Sequence, residues 1–319
     1  MKKLFLVAAL LLPFRIFAEC PRKAAPGDIA VETAADCPWA EAAREMGEKA
    51  GRSEDLALVF STYAPGLLAQ LDADKTNPAL LKLWGESINY DELANGEIVS
   101  PFVLAFISAR LGAPAPRGRI MHAGLEHTYG YLFSLLPTKF GFKRARWVRQ
   151  DIEEGLGLAK GSVGPAPVQG TLLSNVTCLA GGIALRGDKP AEALLAKACA
   201  HSPGAVKNFK PAAVRPQRLS ETVLLPGGRK VTLCTDFVPF IKPAGGNTHL
   251  LIYSVRDSAM KHAYLVTTFP VSEGFVKGAT DPGGLGKDRP VQTRYNAYVE
   301  GLTGDAKFKG LRAVSSTQK

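Results

Sequence analysis

The hydrophobic pattern of this chain changes along its length, and that change constrains the fold more than any other feature. Up to about residue 115, apolar residues recur at helical spacing between proline and glycine residues. From about residue 215 they alternate with polar residues, which is typical of half-buried β-strands. Because a run of helices is followed by a run of strands, the sequence predicts an α+β fold with a C-terminal antiparallel β-sheet.

The same pattern divides the chain into five stretches. They are a signal peptide (1–18), a helical part (19–115), a mixed α/β junction region (116–204), an antiparallel β part (205–305) and a polar tail (306–319). The segments that join the helical and β parts are short. We therefore expect one compact unit after removal of the signal.

Proline and polar residues mark the predicted helices of the first part. Pro38 fits a first helical turn, Ser53 fits an N-cap, and Asn77-Pro78 and Ser100-Pro101 mark two further starts. Pro65 should kink or split the second helix.

The junction region is less clear from its sequence. Residues 121–136 fit either a strand pair or a buried helix, because Gly124 and Gly130 disfavour a helix. Residues 144–156 fit one helix, in which Arg149 would pair with Glu153 one turn later.

The β part predicts two hairpins. The first turns at Pro226-Gly227-Gly228, and the second turns within residues 257–261.

The N-terminus has the pattern of an export signal. Lys2 and Lys3 precede an unbroken apolar run over residues 4–12, and Ala18 is a small residue suited to cleavage. That run is too short for a spanning helix, which needs about 20 residues. The sequence therefore predicts an exported bacterial protein, periplasmic or extracellular, without a transmembrane segment.

The chain is basic, and this favours anionic partners. Its formal net charge is +10, of which Lys2, Lys3 and Arg15 would leave with the signal. An exported basic protein is attracted to anionic surfaces such as acidic polysaccharide, cell-wall carboxylates or phospholipid head groups. We expect an anionic cell-envelope polymer as the partner and do not expect nucleic acid. The sequence does not specify an oligomeric state.

Five cysteines remain after cleavage, and an oxidising compartment favours disulfides. Cys20 and Cys37 flank a short polar loop and are predicted to pair. For the other three, Cys178 can pair with Cys199 and leave Cys234 as a buried thiol, or Cys199 can pair with Cys234 and leave Cys178 as a thiol. The odd number requires at least one cysteine outside an intrachain pair.

A run of basic and aromatic residues over 139–149 is the first candidate site. It contains the possible anion ligands Lys139, Lys143, Arg144, Arg146 and Arg149. Asp151, Glu153 and Glu154 follow at once, so the alternative is a solvated amphipathic helix whose charges pair with one another.

His122, Glu126 and His127 form a second cluster, but their spacing does not suit a metal. His122 and Glu126 are one helical turn apart, whereas His127 would point elsewhere. The glycine pairs lack the context of a phosphate or dinucleotide loop. We therefore predict no metal and no cofactor.

A thiol site is the third candidate. If Cys178 began a helix, the helix dipole would favour its thiolate, and His249 and His262 open two neighbouring strands downstream. This order over 175–269 resembles the papain-like cysteine hydrolases that cut bacterial cell-wall peptides, although Thr177 and Leu179 stand where those enzymes often have Asp and Ser. The resemblance implies Cys178 as nucleophile, His249 as base and His262 as the group that orients it.

Two functions follow from these observations. The first is an exported protein, without assigned enzymatic activity, that contacts an anionic envelope component. The alternative is a cysteine-dependent amide hydrolase that acts on cell-envelope peptides. The sequence leaves open whether the chain is an enzyme.

Overall fold

The computed structural model describes residues 35–49, 52–91, 94–138, 141–211, 215–224, 226–280 and 313–318. Its helices are α1 (Cys37–Glu48), α2 (Ser53–Tyr63), α3 (Pro65–Lys75), α4 (Pro78–Lys82), α5 (Pro101–Leu111), α6 (Ala123–Leu125), α7 (Ala145–Val148), α8 (Asp151–Gly155), α9 (Leu172–Ala184), α10 (Lys189–Ala198), α11 (Gly204–Lys207) and α12 (Glu273–Thr280). Its strands are β1 (Glu86–Ile88), β2 (Ile120–His122), β3 (Pro137–Thr138), β4 (Gly141–Phe142), β5 (Gln217–Leu224), β6 (Lys230–Ala244), β7 (Asn247–Asp257), β8 (Tyr264–Val271) and β9 (Ala313–Gln318).

Helices dominate the N-terminal half and an antiparallel sheet lies in the C-terminal part, so the α+β prediction is confirmed. In the part of the chain that the structure describes, no helix is both long and apolar enough to cross a membrane. The predicted signal peptide, 1–18, lies outside the described residues.

Proline residues mark the starts of the N-terminal helices, as predicted. Pro38 lies in the first turn of α1, and Pro65, Pro78 and Pro101 begin α3, α4 and α5. Proline has no amide N–H, but an amide in the first turn has no hydrogen-bond partner within the helix, so proline costs nothing there. Pro65 thus separates α3 from α2, and Gly112, with φ of 69°, ends α5 in the left-handed conformation.

The ambiguous segment of the junction region is a short strand followed by a buried helix. After β2, α6 continues as a π-helix over Glu126–Gly130. The two glycines that disfavour a helix are needed for packing. A Cβ on Gly124 would lie 2.7 Å from Cγ of Trp84, and a Cβ on Gly130 would lie 2.8 Å from Cδ2 of Leu104.

The main sheet has the strand order β8-β7-β6-β5-β9, and every neighbouring pair is antiparallel. Both predicted hairpins are present. The β6–β7 connection turns at Gly245 and Gly246, whose φ angles are 52° and 81°. The strand β9 pairs with β5 where the sequence predicts a polar tail. Sheet pairing uses backbone amides and carbonyls, so polar side chains do not prevent it.

Both faces of β7 are buried. Alternate residues of β7, such as Leu250 and Ile252, belong to the core that the sheet shares with α9 and the N-terminal helices. The intervening Leu251 and Tyr253 belong to a second cluster that includes Val276 of α12. Burial on both faces explains why β7 reads as a nearly continuous apolar run.

The predicted single helix over 144–156 is wrong, because the chain breaks it at Gln150. That residue has φ of 58°, and the helices α7 and α8 lie on either side of it. Among the described residues, Arg149 and Glu153 consequently do not form the predicted ion pair. Instead, Nη2 of Arg149 lies 3.1 Å from Oδ2 of Asp36.

Glu153 turns inward and holds a loop. Its carboxylate accepts hydrogen bonds from the backbone amides of Gly161 (2.9 Å), Val163 (2.6 Å) and Gly164 (3.0 Å). The loop that these bonds fix is the glycine- and proline-rich connection that precedes α9. Three backbone donors on one buried carboxylate replace the hydrogen bonds that a helix or strand would have supplied.

Candidate functional site

Cys178 is a half-cystine in the middle of α9. It is disulfide-bonded to Cys199, the C-cap residue of α10, with 5.6 Å between their Cα atoms. The condition that Cys178 begins a helix is not met, because α9 begins at Leu172, nearly two turns earlier. A half-cystine has no thiol to ionise, so the predicted nucleophile is not present in this arrangement.

The remaining cysteines are placed as follows. Cys37 is disulfide-bonded. Its predicted partner Cys20 lies outside the described residues, and that pairing stays a prediction. Cys234 is a half-buried thiol on β6, 3.7 Å from Oγ of Ser220. This distribution matches the alternative in which Cys178 pairs with Cys199.

The two histidines of the predicted thiol site lie far from each other. His249 is opposite Val271 at one end of the β7–β8 hairpin, whereas His262 adjoins Tyr264 at the other end, where Tyr264 faces Val255. The two ends are six residues apart along the strand, a distance of roughly 20 Å. His262 therefore cannot orient His249.

Local contacts account for both rings. Nδ1 of His249 lies 2.8 Å from Oγ1 of Thr248, and burial lowers the pKa of His249. Nδ1 of His262 lies 2.8 Å from the backbone oxygen of Ala263. Neither the nucleophile nor the orienting group of the hydrolase hypothesis is in place.

The basic run over 139–149 does not form the exposed patch that its sequence suggests. Lys139 lies outside the described residues. Arg144 is fully buried, donates from Nη1 to the backbone oxygen of Ser134 at 2.5 Å, and lies 4.0 Å from the ring centroid of Phe142. Its Nε is 3.8 Å from Oδ1 of the equally buried Asp36. Together with Arg149, Arg144 is used in structural contacts.

Lys143 and Arg146 of the same run point into a polar cluster. Nζ of Lys143 lies 3.2 Å from Oδ2 of Asp91, and 12% of its side chain is exposed. The guanidinium of Arg146 lies 3.8 Å from the ring centroid of Phe269 and 5.1 Å from that of Tyr131. These aromatic rings fix the guanidinium by cation–π contact.

The π-helix supplies the other members of this cluster. Glu126 and His127 are buried side chains of the π-helix, and Tyr131 follows it by one residue. Nε2 of His127 lies 3.4 Å from Oγ of Ser87. π-helical turns occur often at functional sites. We call Glu126, His127, Tyr131, Lys143 and Arg146 the interior polar cluster.

Several polar atoms of the interior polar cluster lack hydrogen-bond partners among the described residues. They are both carboxylate oxygens of Glu126, Nδ1 of His127 and Nη1 of Arg146. Buried polar atoms nearly always have a partner, and an exception indicates a functional role or a bound water or ion.

Burial shifts the pKa values within the cluster. It raises the pKa of Glu126 to about 7, although Ser87, Lys143 and Arg146 act in the opposite direction. Burial and repulsion by Arg146 lower the pKa of Lys143 to about 8. Burial lowers the pKa of His127 to about 3, so that its ring is neutral at pH 7.

His122 does not join this cluster. Its Nε2 lies 2.9 Å from the backbone oxygen of Leu81. Across the described ranges, no group of three or more His, Cys, Asp or Glu side chains is arranged to hold a metal ion.

Sequence reasoning missed an exposed basic surface on α10, α11 and the residues that follow. Five basic residues within 197–215 are exposed, namely Lys197, His201, Lys207, Lys210 and Arg215, and we call this set the α10–α11 surface. Among the ion pairs of the described residues, none involves these five. The sequence signal is the absence of any Asp or Glu from 193 to 220.

The α10–α11 surface is attached firmly to the core. The Cys178–Cys199 disulfide joins its first helix to α9, and Oγ of Ser202 donates to Oγ of Ser174 at 3.4 Å. Val206 of α11 is buried in the main core. Lys207 reaches back with Nζ to 3.5 Å from the backbone oxygen of Ala200, beside His201.

Comparisons with protein-family models, with curated proteins and with solved structures found no match for this chain. Its function is therefore inferred from its own residues.

Proposed function

We propose that the chain is an exported protein that binds an anionic cell-envelope polymer through the α10–α11 surface. The observation that carries this proposal is the set of exposed cations between 197 and 215 without a carboxylate partner among the described residues. Exposed cations that are not neutralised within the protein are available to a polyanion.

Export is supported by two features. The pattern of the first 18 residues is that of a signal peptide. The Cys178–Cys199 disulfide is a bond that persists in oxidising compartments such as the periplasm or the cell exterior. The same bond anchors the helix that carries the first cation of the surface.

The exposure of these cations favours a polymer over a small ligand. Each cation lies exposed on a helix or on the segment after it, and a single exposed ion pair contributes at most about 1 kcal/mol. Useful affinity therefore requires several contacts at once. A chain with repeated negative charges makes such contacts, and a single small anion does not.

A four-site variant tests this proposal. Lys197, Lys207, Lys210 and Arg215 are replaced together by glutamine, and retention of the mature protein on immobilised polygalacturonate is measured against salt concentration. We expect the affinity at fixed salt to fall about 10- to 100-fold, because four exposed charge contacts are lost. Neutral dextran should retain neither protein.

A matched variant controls for net charge. Lys160, Lys230, Lys242 and Lys261 are exposed lysines on other parts of the molecule. Their joint replacement by glutamine removes the same charge and should leave most of the retention intact. Equal losses from the two variants would show that only net charge matters and would overturn the assignment to the α10–α11 surface.

A further inference from the structure

The interior polar cluster contains two cations beside one aromatic ring, because Nζ of Lys143 lies 5.9 Å and the guanidinium carbon of Arg146 lies 5.1 Å from the ring centroid of Tyr131. Burial lowers the pKa of both groups, and Arg146 further lowers the pKa of Lys143. Asp91 pairs with Lys143, and Tyr131 and Asp91 both act favourably on Arg146, but Nη1 of Arg146 has no hydrogen-bond acceptor in the described part of the chain. An anion between the two cations would relieve the repulsion and satisfy that donor.

The guanidinium is held in place for such a contact. The rings of Phe269 and Tyr131 lie 3.8 Å and 5.1 Å from its carbon, so its orientation is set without a carboxylate. Lys143 and Arg146 are both partly exposed, so the cluster lies near the surface at the cations.

Two further groups next to the cations are donors in their neutral forms. Tyr131 interacts with Arg146 and Glu126, and burial raises the pKa of its hydroxyl, which keeps its proton. The carboxyl of Glu126 lies near both cations and near Ser87, and neither of its oxygens makes a hydrogen bond of normal geometry with a described residue. A neutral carboxyl donates one hydrogen bond, whereas an ionised one only accepts.

We propose that Lys143 and Arg146 form a binding site for one small oxyanion, with the hydroxyl of Tyr131 and the carboxyl of Glu126 beside it. The ligand class is a single carboxylate, sulfate or phosphate group. This site is separate from the α10–α11 surface and does not depend on the function proposed for that surface.

The site is pH-dependent, and both relevant groups act in the same direction. As the pH rises through about 7, Glu126 ionises, loses its donor proton and adds a negative charge that repels the anion. As the pH rises through about 8, Lys143 loses its positive charge. Binding should therefore weaken with rising pH. The polar and charged groups that face the cluster from neighbouring elements are Ser87, Asp91, His127 and Tyr253.

Sulfate is a suitable probe because it stays a dianion across the useful pH range. Calorimetric titration of the mature protein with sulfate, at ionic strength held constant with chloride, should show one site. We expect binding to weaken about tenfold or more between about pH 6 and about pH 9. Acetate, a carboxylate of constant charge over this range, should compete with sulfate.

Three variants separate the site from nonspecific attraction. Arg146→Gln should lose sulfate binding, and Lys143→Gln should weaken it at low pH and reduce the change near pH 8. Glu126→Gln keeps the shape and a donor, so it should retain binding and lose the part of the pH dependence near pH 7. Arg110→Gln, which removes an exposed cation paired with Asp72, should bind sulfate as the unmodified protein does.

Two results would exclude the oxyanion site. One is a calorimetric titration in which sulfate shows no binding beyond that of chloride at equal ionic strength. Folded Arg146→Gln and Lys143→Gln proteins that both bind sulfate normally would also exclude it. Neither result would affect retention on polygalacturonate through the α10–α11 surface.

Discussion

Replacement of Glu153 by alanine should lower the free energy of unfolding by about 3 to 5 kcal/mol. The carboxylate accepts hydrogen bonds from three buried backbone amides, those of Gly161, Val163 and Gly164. Alanine leaves all three donors without an acceptor, and each unsatisfied buried donor costs about 1 to 3 kcal/mol. Chemical denaturation of the purified protein measures the loss.

Glu154 provides the matched control, because it is the next residue of the same helix and is exposed. Glu154→Ala should change the stability by about 0.5 kcal/mol or less. Glu153→Gln should give an intermediate loss, since one amide oxygen still accepts but the NH₂ group faces a backbone donor. Equal stability of the Glu153→Ala and Glu154→Ala proteins would contradict the role given to Glu153.

Removal of the Cys178–Cys199 disulfide should cost about 3 kcal/mol. The bond closes a loop with a sequence separation of 21, and its loss increases the entropy of the unfolded chain. The double replacement Cys178→Ala and Cys199→Ala tests this by denaturation under non-reducing conditions. The variant should also bind polygalacturonate more weakly, because the bond anchors α10 to α9.

Cys234→Ala is the control for this prediction. It removes a half-buried cysteine that closes no loop with Cys178 or Cys199, and it should cost about 1 kcal/mol or less. Peptide mapping without reduction should release the Cys178 and Cys199 peptides as one linked species. If Cys178 reacted with an alkylating agent in the folded, unreduced protein, the disulfide assignment would be wrong and the thiol hydrolase would regain its nucleophile.

The α+β architecture could be predicted because it depends on local signals. Pro38, Pro65, Pro78 and Pro101 act within one helical turn of their own position, and the alternation in the β strands repeats every two residues. The strand β9 was missed because its pairing with β5 joins segments about 90 residues apart along the chain. No periodicity within the tail signals that partner.

The candidate site was harder to predict, because its residues meet through long-range contacts. The basic run looked like a surface patch, but Arg144 and Arg149 share Asp36, more than a hundred residues earlier. Residues 144–156 read as one helix because periodicity does not reveal the left-handed turn at Gln150. Likewise, two histidines at the starts of neighbouring strands lie at opposite ends of a hairpin when those strands are antiparallel.

The α10–α11 surface could have been found from the sequence. A basic side chain has no nearby partner in the sequence when no Asp or Glu is close to it, and residues 193–220 contain neither. The dense run at 139–149, where five cations lie within eleven residues, is instead the predicted anion site. The density of that run was misleading, because most of its described cations are buried or paired with carboxylates. The sparser cations from Lys197 to Arg215 are exposed and make no ion pair among the described residues.

Lysine acylation footprinting tests most directly whether the α10–α11 surface binds an anionic polymer. The mature protein is treated with an acylating reagent with and without polygalacturonate, and modification at each lysine is measured by mass spectrometry. Lys197, Lys207 and Lys210 should become protected, while the exposed Lys160, Lys230 and Lys261 should react equally in both samples. Equal protection of both groups, or protection of the second group alone, would contradict the proposal.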